Sequence, residues 1–339
     1  MRVRRRVTLL DVARAAGVSR TTASYVLNGR TEMRISADAH ERVRRAADRL
    51  GYRPNRNALS LRTATSMTFG MVTDFVSSGQ ASSQMISGAS LACLDSGHLL
   101  LIGETEGDPL VERRLIEEMI DRQVDGILYA TLVSSQVQVP APLAGCRTVL
   151  LNCRDRDGET ASVMPDDFGG GRAAARVLLD AGHRDRVFVV GEEITPGGLS
   201  GAARLSGVRT ELSAAGAEVA DVVACEWAVV PAYESVSKWL STGVRPTALV
   251  CLNDRVAMGT YQAIGEFGLD VPADVSVVSF DASELAGWLR PTLTSVEVPY
   301  AHLGGQAVHA LMRPEPLRPG VRAVAMPVRR GGSVRPGVM

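Results

Sequence analysis

Apolar residues recur at helical spacing in three short stretches near the start of the chain. These stripes contain Val12, Ala13 and Ala16, then Val26 and Leu27, then Val43, Ala46, Ala47 and Leu50. Polar residues suited to capping precede each stripe, and Gly17 and Gly51 follow the first and the third. The pattern predicts three helices with a tight glycine turn between the first two, which is the arrangement of a helix-turn-helix.

The predicted starts of these helices have specific capping residues. The segment Thr8–Asp11 has the form of a capping box, in which the Thr8 hydroxyl accepts a hydrogen bond from the backbone N–H of Asp11. Ser19 and Ser36 precede the second and third stripes as N-caps. Three helix starts are therefore predicted from residues close to one another in the chain.

The second helix of a helix-turn-helix enters the major groove of DNA, and side chains near its N-terminus reach base edges. Arg20 and Thr21 open this helix, and Tyr25 lies about one turn further on. We expect Arg20 to bind guanine, and Thr21 or Tyr25 to contact a thymine methyl or a base-edge acceptor. The alternative is a small helical bundle whose arginines form a solvated face.

From Met67 onward, short apolar runs alternate with helical patterns. The runs that predict strands are Phe69–Val72, Leu99–Ile102, Gly126–Tyr129, Thr148–Leu151, Val187–Val190, Ala248–Leu252 and Val275–Phe280. Such alternation is typical of parallel sheets with helices on both faces. Because this part is long for one open sheet, we predict two βαβ lobes. The predicted fold class is α/β, with an all-α helix-turn-helix head followed by a two-lobed, doubly wound body.

Polar side chains follow several of these predicted strands. They are Asn253 and Asp254, Asp281, and the pair Asp166 and Asp167, which opens a helix. Ligands of parallel sheets bind outside the carboxyl ends of the strands, so these residues are candidates for a binding site. The alternative is that they cap helices or form hydrogen bonds between the lobes.

Charge divides the chain at the same place as the hydrophobic pattern. The 339 residues include 37 basic and 37 acidic side chains, so the formal net charge is zero. Residues 1–63 nevertheless carry 15 arginines and 5 acids, a net charge of +10, and the remainder carries −10. Nearly all of the positive charge is guanidinium, which binds phosphate and guanine in bidentate fashion. The asymmetry predicts a nucleic-acid-binding head on an acidic body.

Other features disfavour several classes of protein. No apolar run approaches the roughly 18 residues of a membrane span, and no secretory signal precedes the head, so we expect a cytoplasmic protein without membrane contact. Five scattered cysteines predict free thiols and no metal site. No phosphate loop, dinucleotide-binding glycine motif or nucleophile elbow is evident. We therefore expect no cofactor and no catalytic residues, which disfavours an enzyme, and the basic N-terminus disfavours a transport receptor.

The runs Val7–Ser19, Arg20–Gly29 and Leu50–Asn55 closely resemble the DNA-binding head of the LacI/GalR family of transcriptional regulators. The resemblance implies that the residues contacting DNA are Thr8, Ser19, Arg20, Thr21, Thr22, Tyr25, Asn28, Tyr52, Asn55, Arg56, Ala58 and Leu61. The family often has arginine at the position of Tyr25. The base preference at that position is therefore not carried over.

The stretch 54–66 corresponds by this resemblance to the hinge helix and linker of the family. That helix orders on DNA and pairs with its twin in a dimer. Leu61 matches the leucine that enters the minor groove, and Ala58 matches the close-packed hinge position. An apolar wedge of this kind unstacks a base step and kinks the duplex. The alternative for Leu61 is packing against the body.

The body also resembles the family, along Cys251–Gly259, Val271–Asp281 and Arg204–Gly207. The resemblance implies a periplasmic-binding-protein-like fold that binds a small effector, a sugar or related metabolite, between its lobes. The implied effector-binding residues are Asp74, Asp166, Arg204, Trp227, Asn253 and Asp281. The family often has aromatic residues after the first strand and a glutamine at the position of Val298. Residues 74–83 are instead mostly small and polar, which favours a ligand other than a plain hexose.

These interpretations combine into a domain scheme. We predict a head at 1–53, the hinge and linker at 54–66, and an effector-binding and dimerisation body at 67–339. The first lobe would comprise 67–164 and 298–320, and the second 165–297 and 321–335. Val321–Val328 is predicted as one last strand, and the six arginines of 313–335 as solvated rather than as a second DNA contact.

The predicted protein is an effector-controlled regulator, with repression as its commoner mode of action in the family. Its predicted partners are a palindromic double-stranded operator, a small-molecule effector and a second copy of the chain. Because no leucine heptads follow the body, we expect a dimer rather than a tetramer.

Overall fold

The computed structural model describes residues 7–28, 35–53, 65–74, 80–191 and 198–335. The chain divides into two compact units, Met1–Ser66 and Met67–Met339. We call them the head and the body. Within the described ranges, no helix combines the length and apolar character needed to cross a bilayer.

Three helices form the described part of the head: α1 Leu9–Ala16, α2 Arg20–Leu27 and α3 Ala37–Leu50. The side chains of Thr8, Ser19 and Ser36 accept hydrogen bonds from the first turns of the three helices, as predicted. The Thr8 box is reciprocal, because the Asp11 carboxylate accepts from the backbone N–H of Thr8 at 2.9 Å. Gly17 ends α1 with φ at +63°, a left-handed conformation that favours glycine.

The core of the head consists of small apolar side chains. Its buried members are Val12, Ala13, Ala16, Ala23, Val26, Val43, Ala46 and Ala47. Alanines let the three short helices approach closely, and Leu27, Leu50 and Tyr52 pack around them. The polar side chains remain on the outside of this small core.

The first lobe of the body contains a six-stranded parallel sheet in the order β11-β5-β4-β3-β1-β2. Its strands are β1 Thr68–Thr73, β2 Leu99–Glu104, β3 Gly126–Val137, β4 Thr148–Asp155, β5 Ala161–Pro165 and β11 Gly320–Val324. The helices of this lobe are α4 Gln80–Asp95, α5 Pro109–Asp121 and α11 Tyr300–Met312. Apolar clusters pack on both faces of the sheet, which explains the continuous apolar runs of β1 and β4.

The second lobe contains a second six-stranded sheet in the order β12-β10-β9-β8-β6-β7. Its strands are β6 Val187–Val190, β7 Val219–Val223, β8 Ala248–Cys251, β9 Ser276–Asp281, β10 Thr294–Glu297 and β12 Val328–Arg329. Its helices are α6 Asp167–Asp180, α7 Ser200–Ala214, α8 Val229–Leu240, α9 Asp254–Glu266 and the short α10 Glu284–Trp288. All strands run parallel except β12, which pairs antiparallel with β10.

One expectation about the lobes is wrong. Residues 321–328 do not form a single strand of the second lobe, because β11 pairs in parallel with β5 of the first lobe, from Gly320 opposite Ala161 to Val324 opposite Pro165. The chain therefore crosses from the first lobe to the second for the last time between Val324 and Val328, rather than between residues 320 and 321. Pro327, which has no backbone N–H to donate, separates the two short strands.

Glycines allow two helix pairs of the body to approach closely. In the first lobe, a Cβ at Gly88 of α4 would clash with the Ala301 carbonyl, and a Cβ at Gly304 of α11 with the Met85 carbonyl. In the second lobe, Gly171 of α6 and Gly207 of α7 lie equally close to the backbone of the opposite helix. Each lobe thus has one reciprocal glycine contact, in which backbone lies against backbone.

Candidate functional site

The exposed surface of α2 begins at its first turn. Arg20 and Thr21 are exposed, and Tyr25 is partly buried about one turn later. Ser19 caps the helix: its Oγ accepts from the Thr22 N–H at 3.0 Å and lies 2.8 Å from the Thr22 hydroxyl. Ser19 and Thr22 thus fix the start of the helix, while Arg20 and Thr21 extend into solvent.

The other residues predicted in the head have different structural roles. Thr8 caps α1, and Asn28 donates from Nδ2 to the Ser24 carbonyl at 2.7 Å near the end of α2. Tyr52 packs against the core of the head. The predicted hinge contacts lie outside the residues that the structure describes; they are Asn55, Arg56, Ala58 and Leu61.

Arg204, on α7, is the centre of a polar cluster at the carboxyl edge of the second sheet. Its Nε donates to Asp167 Oδ1 at 2.8 Å, and its Nη1 donates to the Leu252 carbonyl at 2.6 Å. The guanidinium lies 4.6 Å from the Phe280 ring centroid and 5.3 Å from that of Trp227. Burial would lower the pKa of Arg204, but the nearby carboxylates outweigh it and raise the pKa. Arg204 therefore stays charged within the fold.

Asp281 ends β9 beside this arginine. Its Oδ1 lies 3.9 Å from Arg204 Nη1, and its side chain remains 26% exposed. Burial raises the pKa of Asp281 to about 6; the charge of Asp254 adds to this rise, and Arg204 opposes it. A partly exposed carboxylate beside a buried guanidinium offers a ligand an acceptor next to a positive charge.

The backbone at Asp281 is strained. Its φ is +96° and that of Ala282 is +49°, both in the left-handed region. For side chains other than glycine, such conformations cost on the order of 1–3 kcal/mol each. They persist where surrounding contacts hold them.

Asp254 provides such contacts from the first turn of α9. Its side chain accepts from the Ser279, Ser283 and Ser295 hydroxyls and from the Ser283 N–H, at 2.7–2.8 Å. A hydrogen bond to a charged group contributes roughly 1.5–3 kcal/mol, which is the same order as the strain of each residue in the neighbouring turn. Burial raises the pKa of Asp254, and the hydrogen bonds from the serines oppose that rise.

Asn253 and Trp227 complete the cluster. Asn253 caps α9, since its Oδ1 accepts from the Val256 N–H at 2.7 Å, and its Nδ2 points to the Trp227 carbonyl at 3.5 Å. The indole Nε1 of Trp227 donates to the Gly191 carbonyl. The hydrogen bond from Nε1 fixes the ring plane beside Arg204, so the indole is available for stacking against a bound ring.

The remaining two predicted effector residues have local partners. Asp166 caps α6 and accepts from the Gly169 N–H at 2.9 Å. Asp74 follows β1 in the first lobe and accepts from the Leu132 N–H at 2.8 Å. The structure therefore brings Arg204, Trp227, Asn253 and Asp281 into one cluster, whereas the hydrogen bonds of Asp166 and Asp74 connect them to other backbone groups.

Three residues outside the predicted effector set also belong to the cluster. Asp167 forms the ion pair with Arg204, Phe280 lies under its guanidinium, and Tyr300 interacts electrostatically with Asp281 from the start of α11. Asp167 follows a predicted strand, so the sequence pattern could have identified it as a site residue. No sequence pattern indicated Tyr300, because it lies at the start of a helix assigned to the other lobe.

Comparison with known proteins accounts for both units. The model of bacterial regulatory proteins of the lacI family matches residues 8–55, and that of the periplasmic binding protein-like domain matches residues 175–334. The ribose operon repressor of Escherichia coli (strain K12) is 30% identical over 310 residues, which cover 90% of this chain and 92% of that repressor. This chain belongs to the lacI family.

Three further matches support this membership. The HTH-type transcriptional repressor PurR of Pasteurella multocida (strain Pm70) is 30% identical over 310 residues, covering 90% of each chain. A lac repressor dimer bound to operator and the anti-inducer ONPF matches with a TM-score of 0.79 at 25% identity, over 97% of this chain and 99% of that one. A CelR–cellobiose complex matches with a TM-score of 0.68 at 26% identity, over 97% and 100%.

The predicted family and fold class are thereby confirmed. As a lacI-family member, the chain is a DNA-binding transcriptional regulator with a helix-turn-helix head and a periplasmic-binding-protein-like body. These relatives are transcriptional repressors rather than enzymes.

Proposed function

We propose that the protein is a repressor that binds a palindromic operator as a homodimer, with an affinity set by a small effector, a sugar or related metabolite, bound in the body. The observation that carries this proposal is the pairing of two sites in one chain. One is the exposed first turn of α2 in a head of charge +10, and the other is the cluster of Arg204 and Asp281.

The head would bind DNA through α2 in the major groove. Exposed Arg20 and Thr21 are placed to contact bases, and Tyr25 replaces the arginine that is frequent in the family. On α3, Arg42 and Arg45 pair with acids one turn before them. Local ion pairs thus neutralise part of the acidic charge of the head, and the arginine excess remains for phosphates.

The hinge completes the proposed DNA contacts. Leu61 would enter the minor groove at the centre of the operator, with Ala58 at the close contact between the two hinge helices and with Asn55 and Arg56 beside the DNA backbone. The purified variant Leu61→Ala should keep a folded head but lose operator bending, measured by the change in fluorescence energy transfer between dyes at the two DNA ends. Unchanged bending would contradict the wedge.

Exposed apolar residues support a dimer of bodies. Leu91 and Leu94 lie on one face of α4, and Leu99 and Leu101 on one face of β2, the edge strand of the first sheet. Exposed apolar patches of this kind mark interaction surfaces. We propose that a second copy of the chain covers them.

This interface predicts a specific change of mass. Leu94→Glu and Leu99→Glu should shift the protein from dimer to monomer in sedimentation velocity, because each would bury an unpaired charge. Leu110→Glu is the matched control, since Leu110 is 79% exposed on α5. Loss of the dimer in the control, or its retention in both variants, would contradict the assignment.

The cluster at the second sheet would hold the effector. Asp281 offers a partly exposed carboxylate, Arg204 a buried charge, Trp227 an aromatic face and Asn253 an amide, which together suit a ring with hydroxyl groups. Asp166 and Asp74 remain proposed contacts at the edges of the two lobes. The CelR structure was solved with cellobiose, which supports a carbohydrate as the first class to test.

Control of DNA binding would follow from motion between the lobes. An effector that favours one arrangement of the lobes would change the distance between the two hinges of the dimer. That change would in turn determine whether the hinge helices are folded or disordered. Ligand and operator are then coupled reciprocally, whether the effector releases the protein from DNA or promotes its binding. Because its proposed partner is operator DNA, the protein would work in the cytoplasm.

Two experiments test this proposal. In the first, the purified chain is incubated with a random-sequence DNA library, and the retained DNA is sequenced; an inverted repeat should be enriched. In the second, a thermal-shift screen of sugars, sugar phosphates and nucleosides, including cellobiose, should raise the melting temperature of the wild type but not of Asp281→Asn. Enrichment of an asymmetric DNA site would contradict the proposed palindromic operator. A screen in which no compound raises the melting temperature would contradict the proposed effector site.

A further inference from the structure

The turn after β9 determines where the Asp281 carboxylate lies. Two consecutive non-glycine residues, Asp281 and Ala282, have left-handed backbone angles there. If the turn relaxed to an ordinary conformation, the carboxylate would leave its position 3.9 Å from Arg204 Nη1. Contacts from residues outside the turn must therefore stabilise its conformation.

The contacts that hold the turn converge on one carboxylate. The Ala282 N–H donates to Ser295 Oγ at 2.9 Å, and the Ser295 hydroxyl donates to Asp254 Oδ1 at 2.8 Å. On the other side of the turn, Ser283 donates to Asp254 Oδ2 from both its N–H, at 2.7 Å, and its hydroxyl, at 2.8 Å. Asp254 thus holds the strained pair at Ala282, through Ser295, and at the next residue, Ser283, directly.

The chemistry of Asp254 is unusual for a residue that only fills space. Its side chain is buried, with 1% of the residue exposed, and its hydrogen-bond donors within the described residues are three hydroxyls and one backbone N–H. No arginine forms an ion pair with it in the described part of the chain. Burying a charge with neutral donors is costly, so an apolar residue would pack more favourably if packing were the only requirement.

We infer that Asp254 is a positioning residue of the effector cleft: through Ser283 and Ser295 it holds the Asp281–Ala282 turn and so directs the Asp281 carboxylate toward Arg204. This inference rests on the proposed function, because it assigns Asp254 a role in a site that we propose binds the effector. Because only 1% of Asp254 is exposed, its role in this inference is to position Asp281 rather than to contact the effector.

The charged groups around Asp281 come from several elements. They are Arg204 on α7, Asp254 and Arg255 on α9, Asp167 on α6 and Tyr300 on α11. Because this environment is fixed by the fold, the titration of Asp281 reports the position of its carboxylate. A carboxylate that moves into water should titrate near the ordinary aspartate pKa of about 3.9.

The test is a carboxyl titration of the full chain without ligand. Protein labelled with ¹³C at the aspartate carboxyl carbon is titrated by NMR, and Asp281→Asn identifies the signal. The wild-type midpoint should lie near the raised pKa of about 6. In Ser295→Ala and in Ser283→Ala the midpoint should fall toward about 3.9, because the released carboxylate gains water.

Ser162→Ala provides the matched control. Ser162 is a buried serine of β5 in the other lobe, and its hydroxyl has no hydrogen-bond partner among the described residues. This variant should keep the wild-type midpoint. Because Ser283 is only partly buried, Ser283→Ala keeps the test decisive if Ser295→Ala does not fold.

The outcomes separate positioning from stability. A folded Ser283→Ala or Ser295→Ala with the wild-type midpoint and a lower melting temperature would show a purely structural role and overturn the inference, as would a wild-type midpoint near 3.9. Since no effector is needed, failure of the ligand screen would contradict the proposed function without affecting this result.

Discussion

The head and the polar cluster around Arg204, which forms the proposed effector cleft of the body, use polar side chains in opposite ways. In the head, the partners are neighbours in the chain: Ser19 pairs with Thr22, Thr8 with Asp11, and Arg42 with Asp38. In the cleft, Arg204 meets Asp167 across 37 residues and the Leu252 carbonyl across 48. Local pairing leaves the head polar and exposed, whereas long-range pairing buries charge inside the body.

This difference teaches how each region would respond to its partner. DNA is a polyanion met at an exposed surface, so salt should control its binding strongly. The cleft presents buried charges whose interactions are screened much less. The two regions should therefore be separable by salt, by substitution and by pH.

The largest expected effect is the salt dependence of operator binding. If a dimer makes about 10 phosphate contacts, log K falls with log salt at a slope of about −9, so the affinity drops by roughly 10⁵-fold between 50 and 200 mM salt. Fluorescence anisotropy of a labelled operator measures this slope. Arg20→Ala should reduce discrimination between bases if Arg20 reads a base. If Arg20 binds a phosphate, the variant loses one contact in each protomer, and the slope should become less steep by about 2. A slope near zero would show that the head does not bind DNA through exposed charges, and the contrast with the buried charges of the body would fail.

The next largest expected effect is the loss of stability when one arginine is replaced in each region. Arg204→Ala leaves Asp167 buried without its partner and should lower the free energy of unfolding by about 3–5 kcal/mol. Arg42→Ala breaks an exposed pair on α3 and should change stability by less than about 0.5 kcal/mol. Urea denaturation followed by circular dichroism measures both. Equal losses would mean that burial does not distinguish the two regions.

The pH dependence of stability provides a third test. Because the pKa of Asp281 is raised to about 6 in the folded state, the native protein holds a proton that the unfolded chain has already released between about pH 4 and 6. The contribution of this group to stability is therefore present below that window and is lost as the pH rises through it. A rise of about two pKa units corresponds to a loss of about 3 kcal/mol.

The matched variant for this test is Asp281→Asn, which cannot ionise. Its free energy of unfolding, measured by urea denaturation at pH 4, 5, 6 and 7, should decline less than that of the wild type. If both proteins show the same decline, another group is responsible for it.

The smallest expected effect is local to the head. Ser19→Ala removes the N-cap of α2 and should destabilise the head by about 1 kcal/mol, whereas Ser19→Gly should cost only a few tenths. Hydrogen exchange of the α2 amides measures this loss. Exchange should become faster in α2 and stay unchanged in the helices of the body. Unchanged exchange in α2 of Ser19→Ala would show that tertiary packing alone sets the start of the helix.

The same contrast explains what could be predicted from the sequence. The three helix caps of the head were predictable, because Thr8, Ser19 and Ser36 bond to backbone three residues away. Strands such as Val187–Val190 were predictable because burial on both faces requires a continuous apolar run.

The rest depended on chain segments meeting in space. The three serines that bond to Asp254 lie 25–41 residues away from it, and no spacing rule indicates them. The boundary near Pro327 was misplaced because one apolar run contributes short strands to both sheets. Asp166 and Asp167 are adjacent, and only their orientation shows which one meets Arg204.

The reciprocal glycine contacts limit how the body can move. Where Gly88 faces Gly304, and where Gly171 faces Gly207, the helices touch through their backbones, so one helix cannot slide along the other without collision. Shear within a lobe, the gradual sliding of packed helices, is thereby disfavoured. Each lobe should therefore turn as a block, and a change at the cleft would reach the rest of the molecule only through bending of the crossover segments.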